Sequence, residues 1–117
     1  MLNYYGYKRC STCSKGEKFL SQHNIDFQFI DITINPPTIE QLATIITQSG
    51  QPIKKFFNTS GVVYREMQLK DKIKTMSDND MMTLLASNGK LLKRPIVTNG
   101  EKSTVAFKED EFTKAWL

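Results

Sequence analysis

The feature that most constrains this chain is a Cys-X-X-Cys pair, placed where a strand pattern gives way to a helix pattern. Cys10 and Cys13 are the two cysteines of the sequence. Residues 2–7 alternate their side chains and are rich in aromatics, which predicts a strand. Positions at helical spacing then predict a helix from about residue 13 to residue 22. Two thiols at such a junction indicate a site for cysteine chemistry.

Cysteine reacts as its thiolate, and a free cysteine with a pKa of about 8.5 forms little thiolate at neutral pH. We expect more thiolate at Cys10, because it precedes a helix N-terminus, where unpaired N–H groups and the helix dipole favour an anion. Lys8, Arg9 and Lys15 add positive charge nearby. Cys13 lies one helical turn further on and can attack a mixed disulfide formed at Cys10. The sequence therefore predicts Cys10 as the attacking thiol and Cys13 as the resolving thiol, with two inert cysteines as the alternative.

The segment Arg94-Pro95 is the second candidate for the site. A proline at the first residue of a strand removes no ladder hydrogen bond, so Pro95 has a purely structural explanation. Alternatively, a cis peptide bond at Pro95 brings Arg94 against the cysteine loop, where its guanidinium can bind an oxyanion or a substrate carboxylate. Ser11 and Thr12 offer hydroxyl donors within that loop. We thus expect three catalytic residues, Cys10, Cys13 and Arg94, and three substrate-binding residues, Ser11, Thr12 and Pro95.

The composition argues against several other kinds of site. Four zinc ligands are hard to assemble, since His23 is the only histidine and there is no second cysteine pair. A metal shared between two chains is the remaining alternative, and we expect no metal and no cofactor. We place His23 at the end of the first helix, where its charge suits the helix dipole.

The charge pattern and the apolar pattern bear on partners and location. The net charge of +4 comes from Lys and Arg scattered among Asp and Glu. This predicts a solvated, slightly basic surface and no direct binding of nucleic acid. No apolar run is long enough for a membrane span and no secretory signal is visible, so we expect a cytoplasmic protein that works as a monomer. Cytosolic thiols are kept largely reduced, so a close cysteine pair there is more often redox-active than structural.

The predicted elements follow the order β-α-β, a helical block, and β-β-α. Residues 26–32 form a second strand, parallel to the first through a right-handed crossover. Residues 38–89 form the helical block. An Asn-Gly turn joins residues 94–98 to residues 102–106 in a hairpin, and acidic residues open a last helix at Glu109. At 117 residues, the chain has the size of one domain.

Within the helical block, capping residues mark two helices. Thr38 and Gln41 form a predicted capping box, and Gly50 is placed to end that helix. Ser77 is the predicted N-cap of a later helix. Residues 62–64 could form an extended segment, although the stretch is short. The apolar stripe of the first of these helices is predicted to comprise Ile39, Leu42, Ala43 and Ile46.

Together these segments resemble the ArsC/Spx family. The resemblance lies in the strand-Cys-X-X-Cys-helix start, the helical insertion, residues 92–97 (LKRPIV) and the closing segment from Gly100 to residues 107–109. It covers essentially the whole chain. It implies an α/β, thioredoxin-like fold of the glutaredoxin type, with a mixed sheet in one domain over residues 1–117 and a helical insertion at about 38–89.

The resemblance implies three functions, in the order in which we rank them. The first is a cytosolic thiol–disulfide oxidoreductase that uses Cys10 and Cys13 on a thiol or disulfide substrate, with glutathione, a glutaredoxin or a thioredoxin as reductant. The second is a redox-sensing regulator of the Spx branch, which binds the C-terminal domain of the RNA polymerase α subunit and uses the same dithiol as its switch. Spx proteins carry a glycine near position 52, where this chain has Pro52. The third is a glutaredoxin-dependent arsenate reductase.

The arsenate reductases of the family hold the oxyanion with three arginines. Arg94 matches one of them. The other two are expected near residues 54–58 and near residue 107, where this chain has Lys54, Lys55 and Lys108. We therefore place arsenate reduction behind dithiol exchange and redox sensing.

Overall fold

The computed structural model describes all 117 residues. Its central element is a four-stranded mixed sheet. The first strand pairs in parallel with the second and antiparallel with the third, and the third pairs antiparallel with the fourth. The strand order in space is therefore 2-1-3-4, and the fourth strand lies at one edge. The strands are β1 (Leu2–Gly6), β2 (Phe27–Asp31), β3 (Ile96–Thr98) and β4 (Ser103–Val105).

Helices fill the rest of the chain. They are α1 (Ser11–Gln22), α2 (Ile39–Ser49), α3 (Val62–Glu66), α4 (Leu69–Lys72), α5 (Asp78–Ser87) and α6 (Glu109–Trp116), with 3₁₀ helices at Ile53–Phe56 and Gly89–Leu91. No helix combines the length and the apolar character that crossing a membrane requires.

The capping residues act as the sequence predicts. Thr38 and Gln41 form the reciprocal capping box, with distances of 3.2 Å from the Gln41 N–H to Thr38 Oγ1 and 3.0 Å from the Thr38 N–H to Gln41 Oε1. Gly50 ends α2 in the left-handed region at φ 68°, where glycine carries no side-chain penalty. Ser77 caps α5 through a 3.1 Å bond from the Asp80 N–H.

Three details of the helical prediction are wrong. Helix α1 begins at Ser11 rather than near residue 13, because Cys10 already acts as its N-cap. Residues 62–64 are helical, since a helix there packs Tyr64 into the core, 6.2 Å from the Phe57 ring between centroids, and such packing overrides β propensity. In α2, Ile39 is 45% exposed and Ile45 is buried instead, so the stripe is rotated from the predicted one.

The two faces of β1 contribute to two separate cores. Tyr4 points into a smaller cluster beneath α1 and α6, which also contains Cys13, Phe19 and Phe112. Tyr5 points the other way, into the larger core built with the helices of residues 39–91. Cys13, the predicted resolving thiol, is thus a core residue enclosed between α1 and the sheet.

The connectivity confirms the predicted fold class. Strand β1, helix α1 and strand β2 form the β-α-β unit, the helices follow, and β3, β4 and α6 form the β-β-α unit. This is a thioredoxin-like α/β fold with a mixed sheet. It places the N-terminus of α1, with Cys10, beside the segment that enters β3.

Candidate functional site

Cys10 is held by the first turn of α1. Its backbone is extended, at φ −91° and ψ 117°, and its side chain caps the helix by accepting the Cys13 N–H at a distance of 3.3 Å from N to Sγ. The Cys10 N–H itself donates to the Tyr7 carbonyl at 3.1 Å, which closes the turn before the helix. A sulfur that caps a helix N-terminus lies at the positive end of the helix dipole. Since Cys10 is only half-buried, this sulfur is also open to an incoming substrate.

Cys13 is enclosed behind Cys10. Its exposed fraction is 0%, and burial, followed by a hydrogen bond with the Cys10 thiol, raises its pKa to about 12. A Cβ atom at Gly6 would lie 3.3 Å from the Cys13 Sγ, so glycine at this position leaves room for the thiol. Cys13 therefore stays protonated at neutral pH and lies next to the Cys10 sulfur.

A buried tyrosine supports the helix turn that carries both thiols. The Tyr4 hydroxyl, fully buried, donates to the Cys13 carbonyl at 2.6 Å. Gly16 makes room for this hydroxyl, because a Cβ atom at Gly16 would overlap the Tyr4 Oη. Sequence reasoning did not identify Tyr4 or Gly16 as parts of the site. A glycine inside a helical pattern, one turn after the second cysteine, was the available signal.

The basic residues around the cysteine loop are arranged differently from the prediction. The Lys8 ammonium lies 3.6 Å from a Glu17 carboxylate oxygen and 4.0 Å from the centroid of the Phe29 ring. Its charge is thus directed towards Glu17 rather than towards Cys10. Arg9 and Lys15 are exposed and form no ion pair. Lys8 is therefore paired with Glu17, and the helix N-terminus is the feature in direct contact with the Cys10 sulfur.

Arg94 lies beside the loop, as its position before Pro95 predicts. The Arg94–Pro95 peptide bond is cis, and the guanidinium carbon lies 5.2 Å from the centroid of the Tyr7 ring. No carboxylate lies within 4.0 Å of the guanidinium. Burial is the main cause of the raised Cys13 pKa, and the Arg94 charge acts against it. Hydrogen bonds from Thr33 are the main cause of the lowered Asp31 pKa, and the Arg94 charge lowers it further. Arg94 thus retains its hydrogen-bonding capacity for a ligand.

The site opens into a cavity of about 1050 Å³. Among the residues predicted for the site, Cys10, Thr12 and Arg94 line this cavity. Ser11 does not line it and faces solvent, and Pro95 is buried with its carbonyl accepting the Ala106 N–H at 2.9 Å. The structure therefore brings Thr12 to the site and gives no such position to the Ser11 and Pro95 side chains.

Five lysines line this cavity together with Cys10, and three of them bear on the family resemblance. Lys54 and Lys55 belong to the 3₁₀ helix at residues 53–56, and Lys108 immediately precedes α6. These are the lysines that stand where the family resemblance leads one to expect arginines. These lysines are far from Cys10 in the sequence, so the sequence alone does not show that they line the same cavity.

His23 has the helix-end position predicted for it. It is the C-cap of α1, and its Nδ1 atom lies 2.8 Å from the Phe19 carbonyl oxygen, with the two rings 4.4 Å apart between centroids. It does not line the cavity in front of Cys10.

Sequence comparison identifies relatives over nearly the full chain. The sequence model described as the ArsC family matches residues 5–115. YusI of Bacillus subtilis (strain 168) is 48% identical over 115 residues, which are 98% of this chain and 98% of that protein. The global transcriptional regulator Spx of Streptococcus pyogenes serotype M1 is 28% identical over 102 residues, covering 87% of this chain and 75% of that protein.

Solved structures of the same kind superpose closely. A putative ArsC family related protein from Bacteroides fragilis has 45% sequence identity and a TM-score of 0.94, over 97% of this chain and 95% of that chain. A possible arsenate reductase from Streptococcus mutans UA159 has 37% identity and a TM-score of 0.87, over 97% of this chain and 98% of that chain.

Proposed function

Since the chain belongs to the ArsC family, we propose that it is a cytosolic thiol–disulfide oxidoreductase, with Cys10 as nucleophile and Cys13 as resolving thiol. The observation that carries the proposal is the asymmetry of the two thiols. Cys10 caps α1 at the mouth of a cavity, and Cys13 lies directly behind it with no exposed surface. Of the two thiols, only Cys10 is accessible to a substrate, and Cys13 is placed to attack the mixed disulfide that forms at Cys10.

The reaction has two exchange steps. The Cys10 thiolate attacks one sulfur of a substrate disulfide, forms a mixed disulfide with it, and releases the other sulfur as a thiolate. Cys13 then attacks the Cys10 sulfur, passes its proton to the departing substrate thiolate, and forms the Cys10–Cys13 disulfide. Two electrons have moved from the protein to the substrate.

The buried state of Cys13 suits this order of events. Because its pKa is about 12 in the reduced protein, Cys13 does not compete with Cys10 for the substrate. Once Cys10 is bonded to a substrate, the Cys13 thiol no longer donates a hydrogen bond to a Cys10 thiolate, and this removes one of the causes that raise the Cys13 pKa. A thiol such as glutathione, or a dithiol protein such as glutaredoxin or thioredoxin, then reduces the Cys10–Cys13 disulfide. The Arg94 guanidinium can donate two parallel N–H hydrogen bonds to a carboxylate of the substrate or of this reductant.

Turnover of a small neutral disulfide tests the proposal. Bis(2-hydroxyethyl) disulfide with glutathione as reductant should be reduced by the protein, and Cys10→Ser should abolish this activity. Cys13→Ser should stop at the mixed disulfide or turn over only slowly through direct attack by glutathione. Full activity in the Cys10→Ser variant would refute the proposal.

A redox-sensing regulator is the second candidate, supported by the similarity to Spx of Streptococcus pyogenes over 87% of this chain. In this alternative the same dithiol is a switch, and the reduced or oxidised protein binds the C-terminal domain of the RNA polymerase α subunit. Pulldown with that domain, with and without diamide as oxidant, separates the two functions. Binding that depends on the redox state and is lost in Cys10→Ser supports the regulator, and no binding in either state removes it.

Arsenate reduction is the third candidate, supported by the similarity to the possible arsenate reductase of Streptococcus mutans UA159. Arg94, Lys54, Lys55 and Lys108 line the cavity where an oxyanion would meet Cys10. Lysines lack the bidentate geometry of arginine, so we rank this function last. Arsenate turnover with glutaredoxin and glutathione decides it, with no turnover above the protein-free rate as the expected result.

A further inference from the structure

We infer that the cavity in front of Cys10 is a docking groove for an extended, acidic segment of a partner protein that carries the disulfide. The inference rests on the proposed function and names the class of its substrate. It combines a concentration of unpaired positive charge with a strand edge whose main-chain groups have no partner, both in the cavity that Cys10 opens into.

The positive charge of the chain is concentrated in this groove. Its lining contains six of the sixteen Lys and Arg residues but one of the twelve Asp and Glu residues, Glu111. The rest of the chain therefore holds ten basic and eleven acidic side chains, and its net charge is close to zero. The sequence predicts a slightly basic surface, and the groove carries the excess of positive charge. The basic residues of the groove are Lys54, Lys55, Lys93, Arg94, Lys108 and Lys114.

These cations have no acidic partners within the chain. The ion pairs of the protein are Lys8 with Glu17 and Lys74 with Asp71, and neither lies in the groove. Like charges gathered along one concave surface attract a polyanionic ligand and raise its association rate. The groove is therefore electrostatically complementary to a run of Asp and Glu.

The edge of β4 gives this groove main-chain binding groups. In the β3–β4 ladder the Ala106 N–H donates to the Pro95 carbonyl at 2.9 Å and the Asn99 N–H donates to the Lys102 carbonyl at 3.2 Å. Antiparallel pairing alternates along a strand, so the N–H and C=O groups of Ser103 and Val105 point away from β3. They find no partner in turns, loops or caps, and both residues line the groove.

An unpaired strand edge beside a groove binds an extended peptide by adding it to the sheet. A peptide is favoured over a nucleic acid here, because a nucleic acid offers neither main-chain amides to β4 nor a disulfide to Cys10. A peptide is also favoured over a small thiol as the occupant, since a cavity of about 1050 Å³ lies at the upper limit of ordinary small-molecule sites, about 300–1,000 Å³.

The redox step in the groove is the exchange already described, with the partner's disulfide as oxidant. The Cys10 sulfur bonds to one sulfur of that disulfide, and the second sulfur leaves as a thiolate. Cys13 displaces the segment from Cys10 and its proton passes to the departing thiolate. The segment leaves as a dithiol after protonation, and the protein keeps the Cys10–Cys13 disulfide until a thiol reductant restores it.

Chromogenic peptides test the inference. Three decapeptides, each with one central cysteine activated as its 2-pyridyl disulfide, carry four Glu, four Gln or four Lys residues around that cysteine. Release of pyridine-2-thione reports the rate of attack by Cys10. At low ionic strength the Glu peptide should react at least about tenfold faster than the Lys peptide, and this ratio should fall towards one in 0.5 M NaCl because salt screens the attraction over about 4–10 Å.

Charge-reversal variants test whether the lysines of the groove cause the preference for the Glu peptide. Lys54→Glu/Lys55→Glu should reduce the ratio of the Glu-peptide rate to the Gln-peptide rate at least about fivefold, and Lys114→Glu should reduce it in the same direction. The matched control is Lys70→Glu/Lys72→Glu, an exposed pair on α4 outside the groove, which should leave the ratio unchanged. Circular dichroism of each variant excludes loss of fold as the cause.

A second set of peptides tests the strand edge and the competing occupant. N-methylation of the backbone amides flanking the cysteine of the Glu peptide should lower its rate several-fold, whereas methylation near the peptide ends should not. A single-stranded oligonucleotide should inhibit the reaction less than an unactivated Glu peptide at equal concentration. Stronger inhibition by the oligonucleotide overturns the inference in favour of a nucleic acid, and insensitivity to N-methylation overturns the docking at β4.

The two substrates together distinguish failure of the inference from failure of the proposed function. If the wild-type protein reduces bis(2-hydroxyethyl) disulfide but reacts equally with all three peptides, the inference fails and the proposed function stands. If the wild-type protein reduces neither the neutral disulfide nor any peptide, the proposed function fails, and the inference fails with it.

Discussion

The difference in reactivity between the two thiols gives the sharpest prediction from the structure. In the folded, reduced protein, iodoacetamide should modify Cys10 and leave Cys13 intact. The pKa of Cys13 is raised to about 12, so at pH 8 its thiolate fraction is lower than that of an ordinary thiol by a factor on the order of a thousand. Its lack of exposed surface slows the reaction further.

Timed alkylation followed by peptide mass spectrometry measures both sites in the same sample. Native protein with dithiothreitol removed is treated at pH 7, 8 and 9, and the label on each cysteine is quantified against a sample unfolded in guanidinium chloride. The modification rate of Cys13 should rise about tenfold for each pH unit, since the thiolate fraction rises by that factor below the pKa. In the unfolded sample, both cysteines should react at similar rates.

Two controls separate the pKa effect from plain access. Cys10→Ser removes the thiol–thiol hydrogen bond, so Cys13 should react somewhat faster in that variant and remain slow relative to the unfolded chain. Cys13→Ser should leave the Cys10 rate within a few-fold. Alkylation of Cys13 in the native protein at a rate near that of the unfolded chain would refute the assignment of a buried, protonated resolving thiol.

Three further predictions concern two tightly packed glycines and the titration of Cys13. Gly16→Ala should lower the unfolding free energy by about 1–3 kcal/mol in urea titration, because the new methyl group meets the Tyr4 hydroxyl; Tyr4→Phe should recover part of this loss, and no recovery would contradict the contact. Gly89→Ala should cost about as much or more, since its Cβ atom overlaps the Ile32 carbonyl, and a neutral effect would argue against that approach. The unfolding free energy should fall between about pH 9 and pH 12, by up to about 1.4 kcal/mol per unit from Cys13, because the unfolded chain releases the proton that folded Cys13 retains. Burial raises the pKa of Tyr4 as well, so Cys13→Ala should remove part of this slope and not all of it; an unchanged slope would show that Cys13 titrates normally.

Local patterns predicted the part of the fold in which neighbours in sequence are neighbours in space. The alternation in β1, the capping box at Thr38 and the left-handed Gly50 all follow from short stretches of sequence, and each was predicted from them. The helix at residues 62–64 was not, because its β-branched residues favour a strand locally and the burial of Tyr64 decides otherwise.

The candidate site was predictable where it depends on the Cys-X-X-Cys spacing, and less so where it depends on tertiary contacts. Cys10 and Arg94 lie where their motifs place them. Lys8 does not act as predicted, since sequence proximity to Cys10 says nothing about the Glu17 and Phe29 contacts that hold its ammonium. The support of α1 by Tyr4 depends on a strand and a helix meeting in space, which spacing alone does not reveal.

The groove charges illustrate the same limit on a larger scale. Lys54, Lys93 and Lys108 are far apart in the sequence, and none of them belongs to a long basic run there. Charge patterning along the chain therefore predicted only a solvated, slightly basic surface. The fold gathers these residues around one cavity, and only that arrangement indicates an acidic partner.

Intact mass spectrometry of a trapped intermediate tests the central claim most directly. The Cys13→Ser variant, mixed with a disulfide substrate, should gain one substrate adduct, mapped to Cys10 by peptide sequencing. The wild-type protein under the same conditions should carry no adduct and should lose the mass of two hydrogen atoms as the Cys10–Cys13 disulfide forms. A stable adduct on the wild-type protein, or an adduct on Cys13 in a Cys10→Ser variant at the same rate, would contradict the assignment of nucleophile and resolving thiol.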